Sequence, residues 1–119
     1  DIEMTSDGSA KRPFCYISDA VTGIFHVLFN GKSSNAYNMA NPDGEVSIKE
    51  LAIIVSETRP DLNISVKSSV QAVSYLKSPI SRHVVNINKL NLLGWAPRVN
   101  VVDGFKRSVS AEVEALVPK

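Results

Sequence analysis

The strongest constraint on this chain is a run of apolar residues at helical spacing near its N-terminus. The run occupies positions i, i+3, i+4, i+7 and i+8 of one helix: Val21, Ile24, Phe25, Leu28 and Phe29. Ser18 is a good N-cap residue, Asp19 in the first turn complements the helix dipole, and Gly31 is placed to end the helix in the left-handed conformation. Because such an apolar stripe needs cover, the pattern predicts a helix over residues 20–29 that packs against a core.

Short strand and turn signals surround this helix. Four segments are predicted strands from their β-branched, aromatic or alternating residues: 2–5, 14–17, 36–40 and 63–66. Residues 6–9 and 41–44 carry turn chemistry, and residues 88–93 form a predicted short helix that Gly94 stops. Residues 67–85 have no clear period and are expected to be loop with at most one helical turn. The order of elements predicts an α/β chain with too few strands for a full doubly wound sheet.

Two more helices have explicit boundary signals. Ser47 and Glu50 form a capping-box pattern at the start of one helix, and Pro60 ends it. Its predicted buried stripe is Ile48, Leu51, Ala52 and Val55. Asn100 can cap a terminal helix whose apolar stripe is Val101, Phe105, Val109, Val113 and Leu116.

Length and composition favour one globular domain over residues 1–119. At 119 residues and 12.9 kDa the chain has room for one core, and folding is expected to hide about two thirds of its extended-chain surface. Thirteen Lys and Arg against 12 Asp and Glu give a net charge of +1, so charge does not favour nucleic acid or a membrane as a partner. The apolar stretches are also too short for a membrane span.

Cysteine usage and the N-terminus favour a reducing, cytoplasmic setting. Cys15 is the only cysteine, so no internal disulfide can form, and a structural metal site is not expected. The first residues are partly acidic and lack the apolar stretch of a signal peptide. The chain begins with Asp1 instead of Met, which suggests a piece of a longer protein.

Most catalytic templates are missing from the sequence. It contains no glycine-rich phosphate loop or dinucleotide turn, no Gly-x-Ser-x-Gly elbow and no closely spaced histidine pair. Cys15 and His26 could act as nucleophile and base, but the apolar setting of Cys15 favours an inert core thiol and an ordinary helix histidine. Arg12 and Arg82 could each offer a bidentate fork to a phosphate or be solvated surface residues, and composition leaves both interpretations open.

Five short motifs occur in order along nearly the whole chain. Residues 6–19 read SDGSAKRPFCYISD, and later segments read YNMANP at 37–42, SIKEL at 47–51, LGWAP at 93–97 and VDGF at 102–105. They resemble the G-D-G-x-x-x-R-x-F-x-Y-V-x-D, Y-N-x-G-x, S-I-x-E-L, L-G-W-x-P and E-G-L motifs of extended short-chain dehydrogenases/reductases, the NAD-dependent nucleotide-sugar epimerases, dehydratases and decarboxylases. The resemblance implies the small mixed αβ substrate-binding lobe in the C-terminal part of such an enzyme.

The resemblance implies site roles for three residues. Arg12 matches the family arginine that contacts the nucleotide, and Arg82 matches the second arginine, which reaches the diphosphate. Two planar guanidinium groups suit a doubly charged pyrophosphate. Ser47 falls where some relatives place a polar residue near the base or ribose, although capping already explains it. Asp19 is expected to be structural and to tie a strand to the helix start.

The chain departs from the family pattern in several places. Val85 and Asn86 stand where relatives have Pro and Asp, which bears on the loop path there. Ala40 replaces a usual glycine and is expected to tighten the approach of substrate. The chain also lacks the glycine-rich NAD turn and the Tyr-x-x-x-Lys acid/base pair of the family's N-terminal Rossmann half.

The resemblance therefore implies the substrate-binding portion of an NAD-dependent nucleotide-sugar epimerase or dehydratase, holding the diphosphate of an NDP-sugar. The implied partners are the NDP-sugar and the missing Rossmann half, and an exposed apolar patch facing that half would also favour a homodimer. The longer enzyme would use NAD, whereas this chain alone is expected to bind neither NAD nor metal, to hold no catalytic residue and to be inactive. The alternatives are a free-standing, non-catalytic binding or regulatory module built on the same lobe, and a stable proteolytic core without activity.

Overall fold

The computed structural model describes residues 1–68 and 80–116, with side chains described through residue 113. The helices within these ranges are α1 (Ile17–Asn30), α2 (Ile48–Glu57), α3 (Asn88–Asn91) and α4 (Val101–Leu116). The strands are β1 (Ile2–Met4), β2 (Lys11–Pro13), β3 (Glu45–Ser47) and β4 (Val66–Ser68), and single 3₁₀ turns at Pro42–Gly44 and Pro60–Leu62 precede β3 and β4. This order confirms the predicted mixed α/β class. Most of the loop predicted at residues 67–85 lies outside the described residues.

The strands form two small sheets. β1 and β4 pair in parallel, with Ile2 opposite Val66. β2 and β3 pair antiparallel, with Lys11 opposite Ser47. An isolated parallel bridge joins Lys11 to Arg82 on the other edge of β2. β2 therefore lies between β3 and the segment around residue 82, and this arrangement positions the candidate site.

Three of the predicted strands differ from the structure. Residues 14–16 are irregular and lead into α1, which begins at Ile17, so Ser18 lies inside the helix and is not its N-cap. Residues 36–40 are also irregular. The strand predicted at 63–66 is displaced to Val66–Ser68, because Asn63 is left-handed, with φ of 45°. These predictions are wrong because apolar patterns report burial, while a strand also needs a partner from elsewhere in the chain.

The apolar stripe of α1 is exposed, contrary to the prediction that it packs against a core. Six large apolar side chains on the helix are between 41% and 74% exposed: Ile17, Val21, Ile24, Phe25, Leu28 and Phe29. We call these six residues the α1 apolar face. The helix is buried along a different line, where Asp19 and Gly23 face inward and a Cβ at Gly23 would meet Met39 and Trp95. The predicted helical spacing is confirmed, but no residue in the described part of the chain covers this face.

The core is small for a chain of this length. Among the described residues its buried cluster is Ala40, Ile87, Leu90 and Trp95, and Met4 and Ala52 are also buried. The accessible surface is 8813 Å², whereas a compact monomer of this mass exposes roughly 6300 Å². The radius of gyration is 17.1 Å, against about 13.5 Å for a compact chain of this length. The chain thus hides about half of its extended-chain surface instead of two thirds.

The capping box at the start of α2 is confirmed in full. The Ser47 hydroxyl accepts a hydrogen bond from the Glu50 backbone N–H, and the Glu50 carboxylate accepts one from the Ser47 N–H. The helix ends at Glu57, shortly before Pro60. Of the predicted stripe, Ala52 is buried, and the other three residues are half-buried: Ile48, Leu51 and Val55.

Glycine and asparagine signals explain the other helix boundaries. Gly94 has a left-handed φ of 89° after α3, and the Asn100 side chain accepts from the Asp103 N–H at 2.8 Å at the start of α4. Gly31 has φ of −69°, so its predicted left-handed conformation is wrong. Glycine is needed there because a Cβ would meet the Val27 carbonyl oxygen. No helix in the described part of the chain is long and apolar enough to cross a membrane.

Candidate functional site

The three predicted site residues lie in one patch of backbone around β2. Lys11 pairs with Ser47 on one edge of β2 and with Arg82 on the other, and Arg12 is the next residue along β2. With a strand spacing of about 4.8 Å, the backbones of Ser47 and Arg82 are roughly 10 Å apart. We call this group the arginine patch; it consists of Lys11, Arg12, Glu45, Ser47 and Arg82. Sequence reasoning predicted its two arginines and its serine but missed Glu45.

Arg82 is held by a carboxylate from β3. Its Nε lies 2.9 Å from each carboxylate oxygen of Glu45 and donates to them. Glu45 is only 15% exposed, while Arg82 is 62% exposed. The hydrogen bond and then the charge of Glu45 raise the pKa of Arg82. Among the described residues, Glu45 engages only the Nε side of the guanidinium, so the two terminal amino groups are left for another acceptor.

Arg12 is held by backbone carbonyl groups. Its Nη1 donates to the Lys11 carbonyl oxygen at 2.6 Å, and its Nη2 donates to that of Ile80 at 3.1 Å. Side chains alternate along a strand, so the side chain of Arg12 leaves β2 on the face opposite to that of Lys11. The contact with Ile80 nevertheless brings its guanidinium to the segment that carries Arg82. Residues 80–82 are therefore the place where one ligand could reach both arginines.

Ser47 has a clear structural role beside these arginines. It is buried, and its hydroxyl and backbone N–H both bond to Glu50. Hydrogen bonding from the Ser47 backbone N–H, and then from the Ser47 side chain, lowers the pKa of the Glu50 carboxyl group. A hydroxyl oxygen has two acceptor lone pairs, so Ser47 can accept a second hydrogen bond beside the one from the Glu50 N–H. Capping and ligand contact are therefore compatible at this residue.

Asp19 ties the start of α1 to the loop after α3. Its side chain is buried, and Oδ2 accepts from the backbone N–H groups of Arg98 and Val99 at 2.9 and 2.8 Å. Its carbonyl oxygen accepts from the Trp95 indole at 2.9 Å. Asp19 is thus structural as predicted, but its partners are in this loop and not in a strand.

Cys15 and His26 have separate partners. The Cys15 thiol donates to the Tyr16 carbonyl oxygen, and burial, followed by the charge of Asp19, raises its pKa. His26 Nδ1 bonds to the Leu93 carbonyl oxygen at 3.0 Å. A raised thiol pKa is the opposite of what a nucleophile needs. Among the residues that the structure describes, no three His, Cys, Asp or Glu side chains come together to hold a metal ion.

The positions that depart from the family pattern have structural roles. Ala40 is buried in the core beside Ile87 and Trp95, so its methyl group contacts protein. Asn86 accepts a hydrogen bond from the Asn88 N–H at 2.9 Å, and this contact leads the chain into α3. Asn86 therefore supplies a side-chain oxygen acceptor where relatives have Asp.

Comparisons with known proteins match most of this chain. Residues 1–40 match the NAD dependent epimerase/dehydratase family. UDP-glucuronic acid decarboxylase 6 of Arabidopsis thaliana is 33% identical over 106 residues, which cover 87% of this chain and 29% of that protein. dTDP-D-glucose 4,6-dehydratase of Mus musculus is 30% identical over 86% of this chain and 29% of that protein. The chain thus spans 29% of the length of these relatives.

A solved structure shares the fold. UDP-glucose 4-epimerase from Thermotoga maritima, in a structure with UDP-glucose, superposes with a TM-score of 0.82 at 18% identity. The superposition covers 98% of this chain and 36% of the epimerase chain. The small α/β unit described above is therefore a recognisable part of a larger fold.

Proposed function

This chain belongs to the NAD-dependent epimerase/dehydratase family, and we propose that it forms the part of a longer enzyme that binds a nucleotide-diphosphate sugar. The observation that carries the proposal is the position of Arg12 and Arg82, which the topology brings to one segment from distant parts of the sequence. The names of the relatives refer to UDP-glucuronic acid and dTDP-glucose, and the epimerase structure contains UDP-glucose. A nucleoside diphosphate is the chemistry that these ligands share.

The diphosphate would lie beside residues 80–82. Planar guanidinium groups bind phosphate oxygens with paired donors and stay protonated at any physiological pH. Arg82 presents its terminal amino groups there, and Arg12 reaches the same segment through its contact with the Ile80 carbonyl. Ser47, on the other edge of β2, would accept a hydrogen bond from the ribose or base through its hydroxyl oxygen.

The described residues do not fit NAD. A dinucleotide cradle needs three glycines within six residues, at the turn between a strand and a helix. The six glycines here are far apart, and the two nearest in sequence, Gly23 and Gly31, are separated by eight positions. In the longer enzyme, NAD would take a hydride from the sugar and return it, and other residues would bind it. This chain alone is therefore expected to bind the nucleoside diphosphate weakly and to have no catalytic activity.

The α1 apolar face is where the rest of the longer enzyme would pack. At roughly 150–200 Å² for each large apolar side chain, the face exposes about 700 Å², more than the largest patch on most monomers. The only charged residue of α1, Asp19, is buried, so the face has no charged residue of its own. A standard interface buries about 800 Å² per partner. Without the rest of the enzyme, a second copy of this chain would cover the same face, which would produce a homodimer.

Binding of UDP to the 119-residue chain tests the proposed site. We expect weak, saturable binding in an NMR titration, and a further tenfold or greater weakening in Arg12→Ala and in Arg82→Ala, since each loses charge-assisted hydrogen bonds to phosphate. Lys32→Ala is the matched control, because it removes one exposed positive charge away from the patch. Equal UDP affinity in the wild type and both arginine variants would refute the proposed site.

A further inference from the structure

Glu45 is the member of the arginine patch that no family motif marks. It lies in β3 opposite Pro13, and its carboxylate crosses β2 to meet Arg82 on the far edge. β2 pairs with β3 on one edge and with the segment at residue 82 on the other. This pairing places Glu45, Lys11 and Arg82 on the same face, because paired residues and alternate residues of a strand share a face. The ion pair thus links β3 to the segment at residue 82, across β2.

Glu45 contacts one nitrogen atom of the Arg82 guanidinium group, Nε. Both Glu45 oxygens accept from Nε, at 2.9 Å each, and neither takes a terminal amino group of Arg82. The Glu45 side chain is largely buried, whereas Arg82 is mostly exposed, so the carboxylate is the fixed partner and the guanidinium is the mobile one. An exposed arginine otherwise samples many rotamers, and a ligand that binds it must restrict them.

We propose that Glu45 is a positioning residue for ligand binding, which holds Arg82 by its Nε so that its two terminal amino groups face the diphosphate. The inference rests on the proposed function, since it assigns a ligand to Arg82. It extends that function by naming a residue whose charge repels the ligand and whose geometry nevertheless favours binding.

Two effects of opposite sign act at this position. The negative charge of Glu45 repels a phosphate, and for a doubly charged diphosphate about 8 Å away through water this weakens binding by about twofold. Holding one long side chain in its bound rotamer strengthens binding by roughly three- to tenfold. Positioning is therefore the larger effect, and removal of the carboxylate weakens UDP binding.

The test measures UDP affinity by NMR titration in the 119-residue chain and five variants. We expect Glu45→Ala and Glu45→Gln to bind UDP about threefold more weakly than wild type, and Glu45→Ala to have no further effect when it is added to Arg82→Ala. Glu57→Gln is the control for loss of one carboxylate, because Glu57 is exposed at the end of α2, outside the patch. Its UDP affinity should equal that of wild type.

A second readout separates positioning from folding. The Arg82 Nε–H signal should exchange slowly with water in the wild type and rapidly in Glu45→Gln, while the thermal unfolding midpoint stays within a few degrees. Unchanged or tighter UDP binding in the Glu45 variants, with weakened binding in Arg82→Ala, would overturn the positioning role and leave the proposed function intact. Unchanged binding in Arg82→Ala would overturn the positioning role, and unchanged binding in both Arg82→Ala and Arg12→Ala would overturn the proposed function as well.

Discussion

At the scale of single residues, Asp19 shows how much one carboxylate can organise. It is buried, and the backbone N–H groups of Arg98 and Val99 both donate to its Oδ2. Its backbone carbonyl also receives the indole N–H of Trp95, a core residue. Because buried N–H groups must be paired, the loop at residues 95–99 depends on this side chain for its conformation.

We therefore expect Asp19→Ala to destabilise the chain by about 2–4 kcal/mol, since two backbone donors lose their acceptor. Urea unfolding at neutral pH measures the change. Asp43→Ala is the matched control, because Asp43 is exposed within the 3₁₀ turn at Pro42–Gly44, and it should change the unfolding free energy by about 0.5 kcal/mol or less. Equal stability of the two variants would show that water replaces Asp19 at no cost.

At the scale of elements, the features predicted correctly have determinants within a few residues of one another. Ser47 and Glu50 are three positions apart, and the left-handed Gly94 and the cap at Asn100 depend only on adjacent residues. Most of the features predicted wrongly depend on distant partners, although the Ser18 N-cap and the left-handed Gly31 are local predictions that also failed. Residues 36–40 have a strand-like sequence but form no strand pairing with the described residues. The apolar stripe of α1 has the predicted helical period, but the described residues provide no surface that covers it.

The capping box gives a prediction for α2 that depends on pH. Ser47→Ala should cost about 1 kcal/mol, the usual value for losing a hydroxyl N-cap. Glu50 has a folded pKa below its ordinary value of 4.5, so its contribution is present above that pH and is lost as pH falls through the lowered value. Glu50→Gln should thus be less stable than wild type at pH 7, and the difference should vanish in acid. A difference that grows toward low pH would contradict this account.

The α1 apolar face gives a prediction about association. Leu28→Lys and Phe29→Lys replace exposed side chains, so they should leave the unfolding midpoint nearly unchanged while making the chain monomeric in sedimentation velocity. The wild type should self-associate as its concentration rises. Val27→Lys is the contrasting variant, because Val27 packs against the core and its replacement should destabilise the fold. A monomeric wild type would show that this face does not associate.

At the scale of the whole molecule, the chain is less compact than a monomeric domain of the same size. Its surface of 8813 Å² and radius of gyration of 17.1 Å both exceed the values for a compact monomer of its size. The candidate site has the same character, since it is a patch on a small ribbon and not an enclosed cleft. A cavity of about 330 Å³ between α1 and residues 94–99 lies outside the patch.

The sequence indicates Arg12, Ser47 and Arg82 because each belongs to or aligns with a short family motif, and their roles in ligand binding stay predictions. It could not predict Glu45, whose role depends on the pairing of β2 with both β3 and the segment at residue 82. That pairing is a property of the tertiary fold, and no local pattern around Glu45 encodes it. The same limit applies to the partners of Asp19, which lie about 80 positions away.

We propose that this chain holds the nucleotide-sugar site and that the rest of a longer enzyme binds NAD. Parallel NMR titrations of the ¹⁵N-labelled 119-residue chain with UDP and with NAD test this proposal. We predict that UDP shifts the signals of residues around 11–12, 45–47 and 80–82, and that NAD binds far more weakly. Tight NAD binding, or UDP shifts confined to residues outside the arginine patch, would contradict the claim.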